Sequence, residues 1–210
     1  MEIDLYADVV CPWCYIGKRR LEKALESYDG EVTVRLRPFQ LDPSPVPEPV
    51  RSMDALAARF GGPQRAQQMV AHVSGIVAET GLDYDYDRSI AANTFEAHRL
   101  VWFAGQRGLA SETMDALQRA HFVDGVDIGS RSELASIAAQ VGLDEIEVRD
   151  WLDSDAGTPE VRAELAQART LGISSVPTYV LAGKYAVVGA QETATLVQAL
   201  NEVARLEAAS

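Results

Sequence analysis

CPWCYIGKRRLEKALESYDG, residues 11–30, holds both cysteines of the 210-residue chain, three positions apart, at the head of an amphipathic run. Pro12 suits a first helical position, Cys14, Leu21 and Leu25 make an apolar stripe, and Asp29-Gly30 stops the pattern. Just upstream, Ile3, Leu5 and Ala7 alternate with Asp4, Tyr6 and Asp8, which predicts a strand ending near Val9. Just downstream, EVTVRLRPF (31–39) alternates again and predicts a second strand. A strand, helix and strand in succession imply parallel pairing through a right-handed crossover.

Outward from this unit the texture changes. LDPSPVPEPVRS carries Pro43, Pro45, Pro47 and Pro49, an extended connector poor in regular hydrogen bonds. From about Ser52 to Gly172 every signature is helical. Pro63 opens a helix with the stripe Ala66, Met69, Val70, Val73, Ile76 and Val77, stopped at Gly81. Asn93 with Glu96 reads as a capping box for a helix to Gly108, and Ser111 starts another. Ser130 with Glu133 and Asp144 with Glu147 cap two more, and Thr158-Pro159 opens the last. Strand character returns in SSVPTYVLAGKYAVVG (174–189), where Ala182-Gly183 signals a hairpin, and a helix with Leu196, Val197, Leu200, Val203 and Ala204 closes the chain. The fold class is therefore α/β. An N-terminal β-α-β half and a C-terminal β-β-α half share one sheet, with an all-helical insertion over 51–172.

Composition narrows the chemistry. With 19 Lys and Arg against 31 Asp and Glu, the net charge of −12 disfavours nucleic acid or an anionic membrane surface as partner. No apolar run approaches the ~20 residues of a membrane span. Glu2 and Asp4 stand where a secretory signal carries Lys or Arg, so a cytoplasmic protein is expected. A scaffold disulfide closes a long loop, and a two-residue gap gains little by that route. The cysteine pair therefore asks for a chemical explanation.

At a helix N-terminus the unpaired N–H groups and the positive end of the dipole favour an anion. Since the thiolate is the attacking species in thiol–disulfide exchange, Cys11, at the cap and exposed, is the expected nucleophile. Cys14, one turn in on the buried face, is the expected resolving thiol. Pro12 and Trp13 set the turn and the packing over the pair. Ser175-Val176-Pro177-Thr178 begins the returning strand, where proline occupies a special bend that the sheet could bring against this helix.

CPWC after a first strand, a helical insertion, and SVP before a hairpin resemble the DsbA-type branch of the thioredoxin superfamily. NTFEAHRL (93–100), HFVDGVDI (121–128) and GKYAVVGAQ (183–191) are similar to its FrnE-type cytosolic oxidoreductases, so the resemblance covers essentially the whole chain. It implies a thioredoxin-like domain over 1–50 and 173–210 and a helical insertion domain over 51–172. It also implies a cis peptide before Pro177 that faces both sulfurs, leaves the Val176 backbone free for an extended substrate, and crowds metals away. Some members carry a further C-terminal cysteine pair; this sequence has none, so no relay through a second disulfide is expected.

Other readings of the same residues are weaker. Zinc takes four ligands, and beside the pair stand only His72, His98 and His121, far apart in sequence. His98 shares a helix face with Phe95 and Trp102, which suits a packed, hydrogen-bonded histidine; the alternative is that His98 lines the thiol cleft with Asn93. His72 and His121 read as surface or boundary residues. Lys18-Arg19-Arg20 reads mainly as a solvated face. Asp83-x-Asp85-x-Asp87 imitates a calcium loop but has Arg88 at the sixth position and Thr94 at the twelfth.

The expected function is thiol–disulfide exchange without a cofactor, on a protein or small-molecule thiol or disulfide, with glutathione a candidate. Cys11 attacks, Cys14 resolves, and Pro12, Trp13, Val176, Pro177, Asn93 and His98 form the substrate-binding set. Dithiol potentials span about −270 to −120 mV, so the direction of electron flow stays open. Two other classes are kept. The related kappa-type transferases and hydroxychromene-carboxylate isomerases use glutathione, place serine where Cys11 stands and lack the second thiol. A non-enzymatic holdase would use an apolar cleft alone. The long insertion offers a surface for a homodimer.

Overall fold

The structure, a computed structural model, describes residues 1–46 and 48–209; Pro47 of the connector and Ser210 lie outside the described residues. In chain order the elements begin with β1 (Glu2–Ala7), α1 (Pro12–Glu26) and β2 (Thr33–Pro38). The helical stretch holds α2 (Ser52–Phe60), α3 (Pro63–Thr80), α4 (Phe95–Gly105), α5 (Ala110–Arg119), a π-helical turn (Ala120–Asp124), α6 (Arg131–Gln140), α7 (Glu145–Asp153) and α8 (Thr158–Thr170). The chain then returns as β3 (Thr178–Leu181), β4 (Tyr185–Val188) and α9 (Thr193–Ala208).

Two compact units result: Met1–Phe39 with the chain from Glu164 onward, and Gln40–Ala163. Both division points lie earlier than a reading at 50 and 172 would put them. At the second, the cause is packing: Ala168 of α8 is buried in the core of the sheet unit. At the first, the connector is tied to the helices: Asn93 Nδ2 donates to the Pro43 and Ser44 carbonyls at 2.9 and 3.0 Å, and Arg59 pairs with Asp42 at 2.8 Å.

The sheet runs β2-β1-β3-β4. β1 pairs parallel with β2 and antiparallel with β3, so Leu5 lies between Leu36 and Tyr179. β3 and β4 form the expected hairpin, and Ala182 (φ 52°) with Gly183 (φ 67°) gives it two successive left-handed residues. Ile3, Leu5, Ala7, Tyr179 and Leu181 from the strands bury against Cys14, Leu21 and Ala24 of α1 and Leu196, Leu200 and Val203 of α9. Each such large side chain gains roughly 1.5–3 kcal/mol by leaving water.

In the helical unit α4 to α7 pack on one another around Leu100, Phe103, Met114, Leu117, Leu134, Ile137, Val148 and Leu152. The caps read at Ser130 and Asp144 are present, accepting from Glu133 N at 3.5 Å and Glu147 N at 2.8 Å. The start of α4 differs from a capping box: Thr94 is the N-cap, Asn93 Oδ1 accepts from Phe95 N at 3.0 Å, and the helix ends at Gly105. A buried arginine organises this unit. The Arg99 guanidinium pairs with Glu96 and donates to the carbonyls of Leu152, Ser154 and Ala156 at 3.1, 2.7 and 2.6 Å, with the Trp151 ring 4.8 Å away. Among the described residues, no helix is long and apolar enough to cross a membrane.

Candidate active site

β1 stops at Ala7 because the backbone turns: Cys11 N donates to the Asp8 carbonyl at 3.1 Å. Cys11 is then the N-cap of α1, in extended conformation, and Pro12 takes the first turn as its missing N–H allows. The Cys11 carbonyl accepts from Cys14 N at 2.9 Å and Tyr15 N at 3.1 Å, which puts both cysteines on one helical turn as free thiols.

Two details correct the sequence reading. Among the described residues, the Cys11 sulfur accepts no capping hydrogen bond, and Cys11 is 3% exposed rather than open. Its thiol is turned inward, donating to the Val176 carbonyl at 3.8 Å. The Val176–Pro177 peptide is cis, as the resemblance implied. Thr178 Oγ1 donates to the Ser175 carbonyl at 2.7 Å and Gly189 N to the Pro177 carbonyl at 2.8 Å, so this loop is fixed from both sides.

Cys14 lies deeper, at 1% exposure. Burial pushes its thiol well above the ordinary range, and the neighbouring Cys11 raises it further by hydrogen bonding and charge. The backbone of Asp8 acts in the opposite sense, hydrogen-bonding in a way that favours the Cys14 thiolate.

The reading of Lys18-Arg19-Arg20 as a solvated face is corrected for two of the three. Lys18 is 5% exposed and paired with Glu22, whereas Arg20, 8% exposed, donates to the Ala190 carbonyl at 2.7 Å and pairs with Glu192 at 2.7 Å. Arg20 thus ties α1 to the segment between β4 and α9. His121 is buried as well, whereas His72 is exposed.

Of the residues expected at the site, Cys11, Cys14, Val176 and Pro177 come together in the sheet unit, and Trp13, half-buried, packs against the same core. Pro12 occupies the first helical position beside them. Asn93 and His98 belong to the helical unit. Asn93, expected to bind substrate, is fully engaged: beyond its bonds to Pro43, Ser44 and Phe95, its Oδ1 accepts from Gln40 Nε2 at 3.1 Å. His98 is buried on α4.

Sequence reading passed over Gly17 and Tyr179. A Cβ on Gly17 would lie 2.5 Å from Tyr179 Oη and 2.7 Å from Pro177 Cγ, so α1 approaches the strand here as no other residue permits. A glycine inside a helix costs about 1 kcal/mol relative to alanine, and that cost was the available signal. Gly17→Ala, stabilising in an ordinary exposed helix, is here expected to lower stability by about 1–3 kcal/mol, because the added methyl would overlap the buried phenol oxygen and the proline ring. Denaturant unfolding checks this, and a midpoint at or above wild type contradicts it.

A dithiol at the mouth of a helix, facing a carbonyl that precedes a cis-proline, on a sheet ordered β2-β1-β3-β4, defines a thioredoxin-like fold. The chain belongs to the DsbA-like thioredoxin domain family, which matches residues 2–201. It is similar to the crystal structure of a probable DsbA oxidoreductase from Streptomyces coelicolor: 35% identity, TM-score 0.91, covering 96% of this chain and 89% of that one. Two further structures share the fold. A 2-hydroxychromene-2-carboxylate isomerase is 18% identical with TM-score 0.72, covering 99% and 98% of the two chains. The cytosolic disulfide reductase DsbM from Pseudomonas aeruginosa, solved with GSH, is 22% identical with TM-score 0.66, again covering 99% and 98%.

Proposed function

We propose that the protein is a thiol–disulfide oxidoreductase in which Cys11 is the nucleophile and Cys14 the resolving thiol. The observation that carries this reading is the shared helical turn of the two thiols, with the Cys11 sulfur against the Val176 carbonyl. In the reducing direction the Cys11 thiolate attacks one sulfur of a substrate disulfide and releases the other as a thiolate. A bond forms between Cys11 and substrate. Cys14, having lost its proton to solvent, attacks Cys11 Sγ and expels the second substrate thiolate, so two electrons have passed to substrate. The oxidising direction is the reverse, and glutathione is a suitable thiol to reset the pair.

Substrate placement follows from the same geometry. A thiolate cannot donate, so ionisation of Cys11 gives up the bond to Val176 and leaves that carbonyl available to an N–H of an extended segment. Pro177 and Trp13 border the place where such a segment would lie, with Pro12 pre-setting the first turn. We assign Asn93 to anchoring the connector and keep His98 as a buried residue of α4. The proposed compartment is the cytosol, which suits a chain whose sole cysteines form the reactive pair.

Cys11→Ser is expected to reduce exchange with glutathione disulfide or a disulfide peptide to background while the fold is retained. Persistent turnover would remove Cys11 from the nucleophile role. A second reading, the glutathione-dependent isomerase, is favoured only by the shared fold of the hydroxychromene-carboxylate isomerase. It keeps full activity on a chromene carboxylate when Cys14 is serine, which thiol exchange does not.

A further inference from the structure

Tyr179 is wholly buried on β3, two residues beyond Pro177, and its Oη has no hydrogen-bond partner among the described residues. Leaving a buried hydroxyl unpaired is costly, and phenylalanine would fill the same space without that cost. The hydroxyl also has a defined address. It presses against Gly17 on α1, and Gly17 stands three residues after Cys14, on the same face one turn along. The space is kept open for it by the absence of a side chain at Gly17. Burial raises the Tyr179 phenol far above its ordinary range, the charge of Cys14 raises it further, and Arg20 opposes them. The phenol therefore stays protonated whenever the protein works, able to donate and not to act as a base.

The chemistry of the pair supplies a use for such a donor. In either direction of exchange Cys14 passes through a thiolate, either before attacking Cys11 or after being expelled by an incoming thiol. That anion forms at 1% exposure, where little water solvates it. We propose that Tyr179 is a positioning residue of the resolving step, its hydroxyl turning to donate to the Cys14 sulfur while that sulfur is anionic. In the dithiol the hydroxyl makes no hydrogen bond to either sulfur, so the proposed bond is one that forms only when Cys14 ionises. As Cys14 Sγ bonds to Cys11 Sγ, the electron pair of the old disulfide leaves with the substrate thiolate. The Cys14 proton has already gone to solvent, and the phenol keeps its own throughout. The proposal rests on the assignment of Cys14 as resolving thiol.

The test is reaction of the reduced protein with an aromatic disulfide, 5,5′-dithiobis(2-nitrobenzoate), followed by stopped flow. Attack by Cys11 releases one thionitrobenzoate, and closure by Cys14 releases the second. In Tyr179→Phe the first phase is expected to be unchanged and the second slowed roughly tenfold, the worth of a hydrogen bond to a charged group. The second phase is also expected to need a higher pH, since loss of a donor disfavours the thiolate. Cys11 and Asp8, the other groups whose charge reaches Cys14, remain unaltered in this variant. Thermal unfolding of the variant serves as the control, with a midpoint no lower than wild type expected. Equal second phases at every pH in the two proteins overturn the role of Tyr179 and leave the oxidoreductase reading intact. Absence of a second phase in wild type itself overturns both.

Discussion

Cys14→Ser is expected to halt exchange halfway. Offered glutathione disulfide, the variant is expected to accumulate a stoichiometric mixed disulfide at Cys11, heavier by one glutathionyl group in an intact-mass spectrum. Wild type is instead expected to close its own ring and release the second thiol. The physical reason is depth and proximity. Cys14 reaches no bulk sulfur at 1% exposure, but shares a helical turn with Cys11, so its attack is intramolecular. Well-placed intramolecular groups act as if present at very high concentration, so replacing that attack by external thiol at millimolar level is expected to slow turnover by roughly 10³-fold or more. Turnover that survives the substitution without accumulation of adduct would mean that Cys14 has no part in the chemistry.

The second large effect is on stability and lies away from the thiols. Arg99→Leu is expected to destabilise the protein by about 3–5 kcal/mol, the scale for removing one partner of a buried charge pair. The side chain is 1% exposed, and its guanidinium serves the Glu96 carboxylate and the carbonyls that close the segment between α7 and α8. Leucine would leave those carbonyls without their donor and the Trp151 ring without its cation. Arg99→Lys is expected to recover little, because one ammonium cannot reproduce a planar fork of donors. Urea unfolding measures both variants; a loss under about 1 kcal/mol for Arg99→Leu would show that the network is ornamental to stability, as many exposed ion pairs are.

Much of the architecture was legible because it is written in short-range patterns. Alternation at Ile3, Leu5 and Ala7, the left-handed pair Ala182-Gly183, and the caps at Ser130 and Asp144 each involve residues within a few positions of one another. The cysteine pair was legible for the same reason. What escaped depends on partners distant in sequence. Arg20 is polar and lies in a basic run, yet it is buried because Ala190 and Glu192 come to it from across the sheet unit. Asp8 alternates as an outward residue of β1 but is 1% exposed where the chain turns into α1. The Cys11 thiol was expected to face outward, and the carbonyl that turns it inward is 165 residues away. Asn93 read as a residue of the helix start and of the substrate-binding set, whereas the proline-rich connector takes up both of its amide donors. The π-helical turn at Ala120–Asp124 has no sequence pattern of its own to separate it from α5.

The order of the strands also bears on how the polypeptide is made. β1, which with β3 forms the middle of the sheet, is synthesised well before β3, so its neighbour on that side does not exist until residue 178 has left the ribosome. During most of translation the nascent β-α-β segment therefore carries an open inner edge, with its thiols ahead of any carbonyl from Val176. Helices α2 to α7, whose contacts are local, have every residue they need well before that point. Vectorial synthesis thus favours a helical body completed first and a reactive centre assembled last, when the hairpin seals the edge.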